Sequence, residues 1–535
     1  MTKDNLYLFD TTLRDGNQTP GVDFSLDDKN RISNILDELG VDYIEGGYPG
    51  ANPIDTDFFK VPPKFKKSKF VSFGMTKRPG RSISNDAGFN ELLTYKVDAI
   101  CFVAKSWDFH VEKALGCTLE ENLASIRESV KAACTSHSEV MVDCEHFFDG
   151  YKKNKNYALE CVKAAFDSGA RWIILCDTNG GTLPDEVSEI VKNVCKTVSG
   201  DYLGIHAHND TGNAIANSLA AVQSGVRQIQ GTLNGIGERC GNANLISLIP
   251  TLLLKERFSE NFNISVTKDS LKSIKKISLI VDDIMNRAPN KQAPYVGDSA
   301  FSTKAGIHAS AIVKDPKTYE HIDPKLTGND RKLLISDQGG RSNILSSLKN
   351  IGFKIQKDDT RITDLLNIVK EREAAGYSYE SAQASFELLA RSILGKSKVF
   401  FNVESFRTLV ERRNNAKGEL ITVSEATVKL EVDGERFISS GEGNGPVNAI
   451  DNALRKDLGK YNKFLKNMKL VDYKVRVLSG GTGAITRVLV ESADTETSER
   501  WVTIGVSPNI MDASFQALYD SINYRLTHST AYDMG

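Results

Sequence analysis

Short apolar runs alternate with longer amphipathic patterns from Leu6 to about Phe258. In the longer patterns apolar residues recur every three or four positions, which predicts helices. One such helix has a capping-box-like start at Ser25 and Asp28 and ends at Gly40. The short runs predict eight strands: Leu6–Leu13, Tyr43–Tyr48, Phe70–Met75, Ala99–Lys105, Val140–Phe147, Trp172–Thr178, Leu203–His208 and Gln228–Leu233. Eight strand and helix units over about 250 residues predict an α/β fold of the TIM (β/α)8 barrel type.

A doubly wound parallel sheet is the alternative for this alternating pattern. That fold commonly carries a Gly-x-Gly-x-x-Gly turn after its first strand. Here the first strand is followed by Asp15-Gly-Asn-Gln18, which does not supply such a turn. The sequence therefore favours the barrel.

The pattern changes after about residue 260. Helical stretches surround a polar, turn-rich middle that contains His308 and Tyr319, which predicts small helical subdomains rather than a second large core. From about residue 400 a mixed α+β pattern begins. We therefore expect a barrel over residues 1–268, helical linker subdomains over 269–398 and a C-terminal domain over 399–535.

The C-terminal segment repeats itself. Two strand-like runs and a helix (Ala426–Glu431, Arg436–Ser440, Pro446–Leu458) are followed by three runs and a helix (Asp472–Leu478, Ile485–Ser492, Trp501–Gly505, Asn509–Arg525). A glycine-containing turn precedes the helix in each copy, and helix N-termini are natural sites for a carboxylate group. From the repetition alone, an amino-acid-binding module and a dimerisation module are equally good interpretations.

Polar residues gather where the predicted strands end. Asp15 ends the first strand, and His206 and His208 end the seventh. Alternate side chains of a strand share a face, and alternate strands of a barrel share an interior layer, so these three side chains converge. Two imidazoles and a carboxylate make an open divalent-metal site that leaves positions for a substrate. Ordinary half-buried histidines are the plainer interpretation, which suits either residue alone better than the pair.

Charge and cysteine content exclude several function classes. Lys and Arg number 67, Asp and Glu 69, and the net charge of −2 gives no nucleic-acid footprint. The 8 cysteines form no Cys-x-x-Cys pair, which is typical of a reduced intracellular protein. The N-terminus has no apolar signal-peptide core, and no stretch approaches the roughly 18 apolar residues of a membrane span. We expect a cytoplasmic protein that binds neither nucleic acid nor membrane.

Two long motifs frame the predicted barrel: Leu8-Phe-Asp-Thr-Thr-Leu-Arg-Asp-Gly-Asn-Gln18 and Leu203-Gly-Ile-His-Ala-His-Asn-Asp-Thr-Gly-Asn-Ala-Ile-Ala216. Both resemble motifs of the 2-isopropylmalate, homocitrate and citramalate synthase family, part of the DRE-TIM metallolyases. Further motifs are similar to the long-form citramalate synthases, among them Lys105-Ser-Trp-Asp108, Gly237-Glu-Arg-Cys-Gly-Asn-Ala-Asn244 and Gly441-Glu-Gly-Asn-Gly-Pro446. The resemblance covers essentially the whole chain.

The resemblance implies condensation of acetyl-CoA with pyruvate to citramalate and CoA, on the pyruvate route to isoleucine. It implies that a divalent metal ion (Mg²⁺, Mn²⁺ or Zn²⁺) is bound by Asp15, His206, His208 and Asn242. By the same pattern Thr178 holds the carboxylate of the 2-oxo acid, and Arg14 with Glu145 faces the reacting atoms. The C-terminal repeat is then a regulatory domain for isoleucine as feedback inhibitor, in a homodimer.

The chemistry of these residues fits that reaction. Arg14 stabilises the developing alkoxide, and Glu45 orients Arg14 or a metal ligand. We expect Glu145 to remove a methyl proton from acetyl-CoA, with its basicity raised by the apolar setting of Phe147 and Phe148. His308 and Tyr319 resemble the histidine and tyrosine that the linker of these synthases lends to the site, across a dimer. A packed linker is the plainer interpretation of that pair.

Three observations bear on the alternatives. The loop Gly237-Glu-Arg-Cys-Gly-Asn242 differs from the cysteine-bearing loop of hydroxymethylglutaryl-CoA lyases, which favours a synthase. Asp143 and Cys144 stand where short-form citramalate synthases carry bulky pocket residues, so that pocket does not transfer residue by residue. The runner-up is 2-isopropylmalate synthase, which uses 2-oxoisovalerate for leucine and differs only in the group its pocket accepts, a difference of a few apolar contacts worth about 1–3 kcal/mol. A catalytically silent amino-acid sensor is the alternative outside the enzymes, and the complete set of site residues argues against it.

Overall fold

The computed structural model describes residues 3–303, 306–333, 341–356, 358–414, 416–478, 484–497 and 499–534. The chain divides into two compact units. The first holds Met1–Phe301 and Ile322–Arg331, and the second holds Ser302–His321 and Lys332–Gly535. Among the residues within those described ranges, no helix combines the length and the apolar character needed to cross a membrane.

The first unit is built on a closed barrel of eight parallel strands, in the order in which they occur along the chain. The strands are β1 (Tyr7–Asp10), β2 (Tyr43–Glu45), β3 (Lys69–Met75), β4 (Ala99–Lys105), β5 (Glu139–Glu145), β6 (Trp172–Asp177), β7 (Leu203–Ala207) and β8 (Gln228–Gly231). The register of β1 against β8 closes the ring, with Tyr7 opposite Gln228. The predicted TIM barrel is therefore confirmed, and each predicted strand overlaps an observed one.

Helices cover the outside of the barrel. They are α1 (Leu26–Leu39), α2 (Pro53–Lys60), α3 (Ala87–Leu92), α4 (Leu119–Ala133), α5 (Phe147–Lys153), α6 (Lys155–Asp167), α7 (Pro184–Val194), α8 (Ala214–Gln223), α9 (Leu245–Leu254) and α10 (Ile274–Ile284). The capping box expected at the start of α1 is present, because Ser25 Oγ accepts from Asp28 N and Asp28 Oδ2 accepts from Ser25 N. Gly40 ends α1 with a φ of 96°, a left-handed conformation that glycine adopts without a steric penalty.

Short segments complete the first unit. One-turn helices and tight turns lie at Gly16–Gln18, Ile83–Asn85, Asp108–His110, Val111–Leu115, Gly200–Tyr202, Leu233–Gly235, Glu256–Ser259, Lys268–Leu271 and Pro324–Thr327. A two-residue parallel ladder joins Asp4–Asn5 to Phe262–Asn263, which lies between α9 and α10.

The barrel interior is mainly apolar and aromatic at its amino-terminal end and polar at its carboxyl-terminal end. At the amino-terminal end Trp172 Nε1 donates to the Tyr43 hydroxyl at 3.0 Å, and that hydroxyl donates to Glu139 at 2.9 Å. Two residues further along the same strands, the inward side chains become polar, as in Glu45 after Tyr43 and Asp143 after Met141. The two-residue period of a strand thus builds a polar layer at the carboxyl ends, where barrel enzymes form their sites.

The second unit begins with four helices, α11 (Gly306–Lys314), α12 (Arg341–Asn350), α13 (Arg361–Ala374) and α14 (Gln383–Ile393), with a tight turn at Pro316–Thr318. A two-residue ladder pairs Ser302–Thr303 with Lys332–Leu333. Two three-stranded antiparallel sheets follow. They contain β9 (Asn402–Asn414), β10 (Leu420–Val432) and β11 (Glu435–Gly443), then β12 (Met468–Val477), β13 (Thr486–Asp494) and β14 (Arg500–Ser507).

Each sheet is followed by one helix, α15 (Pro446–Lys456) in the first copy and α16 (Ile510–Thr527) in the second. The predicted repeat is therefore present, as two copies of three strands and a helix. Tight turns at Gly459–Phe464 and Thr530–Met534 follow the two helices. The prediction of only two strands in the first copy was wrong, because β9 also belongs to it. Most side chains of β9 are exposed, so its sequence lacks the apolar alternation that marks a half-buried strand.

Helix α14 packs against the second sheet rather than apart from it. Phe386 of α14 and Tyr379 just before it share an apolar core with Ile504 of β14. Ser385 Oγ donates to Asp520 of α16 at 2.6 Å and accepts from Ile504 N at 3.1 Å. The boundary expected at residue 398 stays a prediction, but the packing joins residues on both sides of it.

Candidate metal and substrate site

Three potential metal ligands meet at the carboxyl ends of β1 and β7. Asp15 Oδ2 lies 3.1 Å from Nε2 of His206 and 3.6 Å from Nε2 of His208. The two Nε2 atoms are 3.3 Å apart. All three side chains are buried, and one ligand atom from each lies within 4.8 Å of the others. The structure therefore brings together the three residues that strand alternation predicts.

The electrostatics of this cluster favour the ligand forms of Asp15 and His208. Burial alone would raise the pKa of Asp15, but Arg14 and the neighbouring His206 hold it well below its usual range. Burial and the neighbouring His206 lower the pKa of His208 to about 3. Burial opposes protonation of His206 as well, but Asp15 outweighs it and raises that pKa. An anionic carboxylate and a neutral imidazole are the forms that bind a divalent cation.

Asn242 lies beside the same cluster. A backbone bridge pairs it with His208, and its Nδ2 donates to the carbonyl of Ile236 at 3.0 Å. Its Oδ1 is buried and has no hydrogen-bond partner within the described part of the chain. A buried amide oxygen without a partner costs free energy unless it binds something else. Two imidazoles, a carboxylate and this oxygen fit the donor set of a divalent cation.

Arg14 is held next to the cluster by two carboxylates and a ring. Its Nε donates to Glu45 Oε2 at 2.7 Å, and its Nη1 lies 3.6 Å from Asp15 Oδ2. The guanidinium carbon lies 4.1 Å from the ring centre of Phe73. Burial would lower the pKa of Arg14, but Glu45 and Asp15 raise it further above its usual range. The contact with Glu45 is the orienting contact that the sequence predicts, and Glu45 is fixed in turn by the hydroxyl of Thr11 at 2.5 Å.

The setting of Glu145 differs from the expected one. Its carboxylate forms an ion pair with Lys105, which stands opposite it on β4, and the side chain is 23% exposed. Phe147 and Phe148 are buried on α5 as part of the outer core. The apolar environment predicted for Glu145 was therefore wrong, because a neighbouring strand supplies a cation that sequence position alone did not indicate.

Thr178 follows β6 at the same end of the barrel. Its Oγ1 accepts a hydrogen bond from the backbone N–H of His146 at 2.8 Å, which ties it to the residue after Glu145. Its carbonyl accepts from Arg239 at 2.6 Å, and Arg239 also holds Asp210 at 2.8 Å. The loop after β8 is thereby joined to the ends of β6 and β7.

His308 and Tyr319 belong to the second unit. Their ring centres are 4.2 Å apart, so the two side chains form one exposed pair, although eleven residues separate them along the chain. Their contribution to the barrel site stays a prediction.

Sequence reasoning missed Gln230 and Lys105 as members of the site. Gln230 Oε1 lies 2.9 Å from Nδ1 of His206, and Gln230 Nε2 donates to Asp143 Oδ1 at 3.2 Å. A single glutamine within a strand is not part of any recognisable catalytic or metal-binding motif. The register of β8 against β7, which sets Gln230 opposite His206, is what makes it a member of the site.

Three family models match the chain: "HMGL-like" over residues 5–278, "Homocitrate synthase post-HMGL domain-like" over 295–375, and "LeuA allosteric (dimerisation) domain" over 380–526. The third model begins at residue 380, just before α14, in agreement with the packing of that helix on the repeat.

The curated relatives are similar over nearly the full length. The (R)-citramalate synthase of Aquifex aeolicus is 47% identical over 98% of this chain and 98% of its own. The (R)-citramalate synthase of Geobacter sulfurreducens is 48% identical over 98% of each chain. The 2-isopropylmalate synthase of Pyrococcus furiosus is 30% identical over 96% of this chain and 98% of its own. On these matches, and with the barrel and the Asp15, His206 and His208 cluster already in place, the chain belongs to the (R)-citramalate synthase family.

Proposed function

We propose an assignment of the family's reaction to residues of this chain. The reaction is the condensation of acetyl-CoA with pyruvate and water to give (R)-citramalate and CoA, so the chain is a divalent-metal-dependent acyltransferase. The observation that carries the assignment is the convergence of Asp15, His206 and His208 beside Arg14 at the carboxyl end of the barrel.

Asp15, His206, His208 and Asn242 hold the metal ion in this assignment. A bound divalent cation acts as a Lewis acid toward the keto group of pyruvate. Arg14 lies against Asp15 and remains partly accessible, so it donates to the oxygen that becomes an alkoxide. Thr178 Oγ1 accepts one hydrogen bond and keeps its own proton, which it donates to the carboxylate of pyruvate.

Glu145 takes a proton from the methyl group of acetyl-CoA. The carbon left behind forms a bond to the keto carbon of pyruvate, and water then releases CoA as the free thiol. Lys105 forms an ion pair with the Glu145 carboxylate and so holds it in one place. His308 and Tyr319 complete the site from a partner subunit, as the dimerisation model over 380–526 suggests.

Isoleucine is the proposed feedback inhibitor, and the repeat from β9 to α16 is its proposed site. The name of the matching model, an allosteric domain, supports this placement. Hydrogen exchange with and without isoleucine tests it, because protection is expected in residues 402–527. Protection confined to the barrel strands would refute the placement. The metal's identity among Mg²⁺, Mn²⁺ and Zn²⁺ and a cytoplasmic location belong to the same proposal.

Release of CoA thiol from acetyl-CoA, followed with pyruvate and with 2-oxoisovalerate, tests the proposed substrate. We expect kcat/KM for pyruvate to exceed that for 2-oxoisovalerate by about 10-fold or more, the scale that a few apolar contacts provide. A preference for 2-oxoisovalerate would make the chain a 2-isopropylmalate synthase, and no thiol release with either acid would favour the sensor.

A further inference from the structure

One metal ligand has a buried partner behind it. Gln230 on β8 stands opposite His206 on β7, and both side chains are buried. Gln230 Oε1 lies 2.9 Å from Nδ1 of His206. An amide oxygen only accepts hydrogen bonds, so the imidazole nitrogen that faces it must carry a proton.

Asp143 determines which end of the amide faces His206. Gln230 Nε2 donates to Asp143 Oδ1 at 3.2 Å, and the other oxygen of Asp143 lies 3.9 Å from Arg14. If the amide were reversed, its oxygen would face the carboxylate, and two acceptors would be in contact without a proton between them. The carboxylate therefore turns the amide oxygen toward His206.

This arrangement selects one tautomer of His206. A neutral imidazole has a single N–H, and with that proton on Nδ1 the Nε2 atom keeps its lone pair. Nε2 is the atom that lies 3.1 Å from Asp15 and 3.3 Å from His208. Nδ1 of His208, by contrast, is buried with no hydrogen-bond partner among the residues that the structure describes. Of the two imidazoles, His206 is the one whose tautomer a side chain fixes.

We propose that Gln230 is a positioning residue that sets the tautomer of His206 and so the affinity of the site for a divalent cation, with Asp143 orienting its amide. The inference rests on the proposed metal site and goes beyond it by identifying what prepares a ligand. Groups that orient a metal-bound histidine in this way typically contribute about 10- to 100-fold to metal affinity.

Mn²⁺ binding to the metal-free full-length chain tests the inference, with free Mn²⁺ measured by electron paramagnetic resonance. Gln230→Leu and Gln230→Met both remove the acceptor, and each is expected to weaken Mn²⁺ binding about 10- to 100-fold. Gln230→Glu keeps an acceptor opposite Nδ1 and is expected to bind Mn²⁺ more tightly than either. The two apolar variants differ in shape, so either one that folds decides the matter.

Gln228→Leu is the matched control. Gln228 is equally buried two residues earlier on β8, but its amide faces the sulfur of Met141 instead of a metal ligand. Its replacement should leave Mn²⁺ affinity unchanged, and the thermal midpoint of each metal-free variant reports folding separately. Parent-like Mn²⁺ binding by a folded Gln230→Leu or Gln230→Met overturns the proposal, as does an equal loss in Gln228→Leu.

His206→Ala separates failure of this inference from failure of the metal site. If His206→Ala binds Mn²⁺ as the parent does, the proposed site is wrong and the inference falls with it. If His206→Ala loses Mn²⁺ while the two apolar variants at position 230 keep it, the site stands and only the role of Gln230 is refuted.

Discussion

The proposed metal site takes its ligands from two strands that are far apart in the sequence. Each of the three side chains, Asp15, His206 and His208, binds the same metal ion in this proposal. With the tautomer of His206 fixed by Gln230, the affinity of the site depends on how many ligands remain. His208→Ala is therefore expected to lose the bound metal ion and, with it, condensation. Metal content after dialysis and CoA thiol release in the same sample measure both.

His137→Ala is the control for that variant. His137 follows α4, and its Nε2 lies 3.4 Å from the carbonyl of Tyr95, so it has no part in the cluster. The His137→Ala variant should keep the parental metal content and the parental rate of CoA thiol release. Full metal content together with a near-parental rate in His208→Ala would remove this histidine from the site.

Glu145→Gln tests the proposed role of Glu145 as the general base. The amide keeps the shape of the side chain but accepts no proton, so turnover should fall by about 10²-fold or more, the usual scale for a positioned general base. Metal content and pyruvate affinity, measured by calorimetry, should persist. Glu139→Gln, at the other end of β5, is the control and should keep its rate. Lost pyruvate affinity at unchanged turnover would make Glu145 a binding residue instead.

Asp520 gives a pH dependence to the second unit. Burial raises the pKa of this carboxyl to about 6, although the Ser385 hydroxyl and Arg372 oppose the rise. The folded state then binds the proton more tightly than the unfolded state, so this group's contribution to stability is full below pH about 4 and is lost as the pH rises through about 6. Asp520→Asn removes the charge at every pH.

The stabilisation from Asp520→Asn should accordingly be larger at pH 8 than at pH 5, by about 1 kcal/mol. Thermal midpoints of parent and variant at the two pH values measure the difference. Asp512→Asn, in the first turn of α16 where the carboxylate is only half-buried, is the control. An equal gain at both pH values would mean that the carboxyl of Asp520 does not titrate between them in the folded protein.

At the scale of elements, the sequence predicted the strands whose apolar side chains are buried in a regular pattern. The barrel strands carry apolar side chains at a two-residue period or in short unbroken runs, and all eight were found from them. Strand β9 was not predicted because most of its exposed side chains are charged or polar, so the strand lacks an apolar pattern. Gln230 and Lys105, the partners of His206 and Glu145, were not predicted for a different reason. These pairs depend on the register between neighbouring strands, which a single sequence does not specify.

The glycines before the repeat helices also have a role that the sequence did not indicate. Gly441 and Gly505 lie where a helix backbone approaches the third strand of each sheet. A Cβ at Gly441 would lie 2.6 Å from the backbone nitrogen of Ala453, and one at Gly505 would lie 1.9 Å from the carbonyl oxygen of Ala513. Close helix packing on the sheet is therefore what these two positions require.

Gly441→Ala is expected to lower the free energy of unfolding of the second unit by about 1–3 kcal/mol, the usual cost of forcing an atom into a packed contact. The thermal midpoint of the full-length chain measures it. Ser440→Ala is the matched control, because Ser440 is the preceding residue of β11 and is exposed on the opposite face. Equal midpoints for the two variants would show that α15 moves away without cost.

At the scale of the whole molecule, the sequence predicted three parts and the structure groups the residues into two units. The linker segment forms helices, as expected. Its composition does not show, however, against which hydrophobic core each helix packs. Tyr379 and Phe386 are buried against Ile504 of β14, more than a hundred residues later in the chain. Contacts of that sequence separation are invisible to local patterns.

Truncation after Lys398 tests how the second unit holds together. We expect the truncated chain to lose inhibition by isoleucine, because the repeat that carries the proposed site is gone. It should also lose cooperative unfolding of α13 and α14, since removing β13 and β14 exposes Tyr379, Phe386 and their neighbours to water. Increased binding of a hydrophobic dye and a second, low-temperature unfolding transition, both relative to the full-length chain, are the expected readouts.

Two results would contradict these expectations: one concerns the core of the second unit, and the other concerns the position of the isoleucine site. A monodisperse, dye-negative truncated chain that unfolds cooperatively would show that the linker helices form a core without the sheets, as the boundary at residue 398 predicts. Undiminished inhibition by isoleucine in initial-rate measurements would place the effector site in the barrel or the linker. Because the apolar contacts of α14 reach both the other linker helices and the second sheet, we expect neither result.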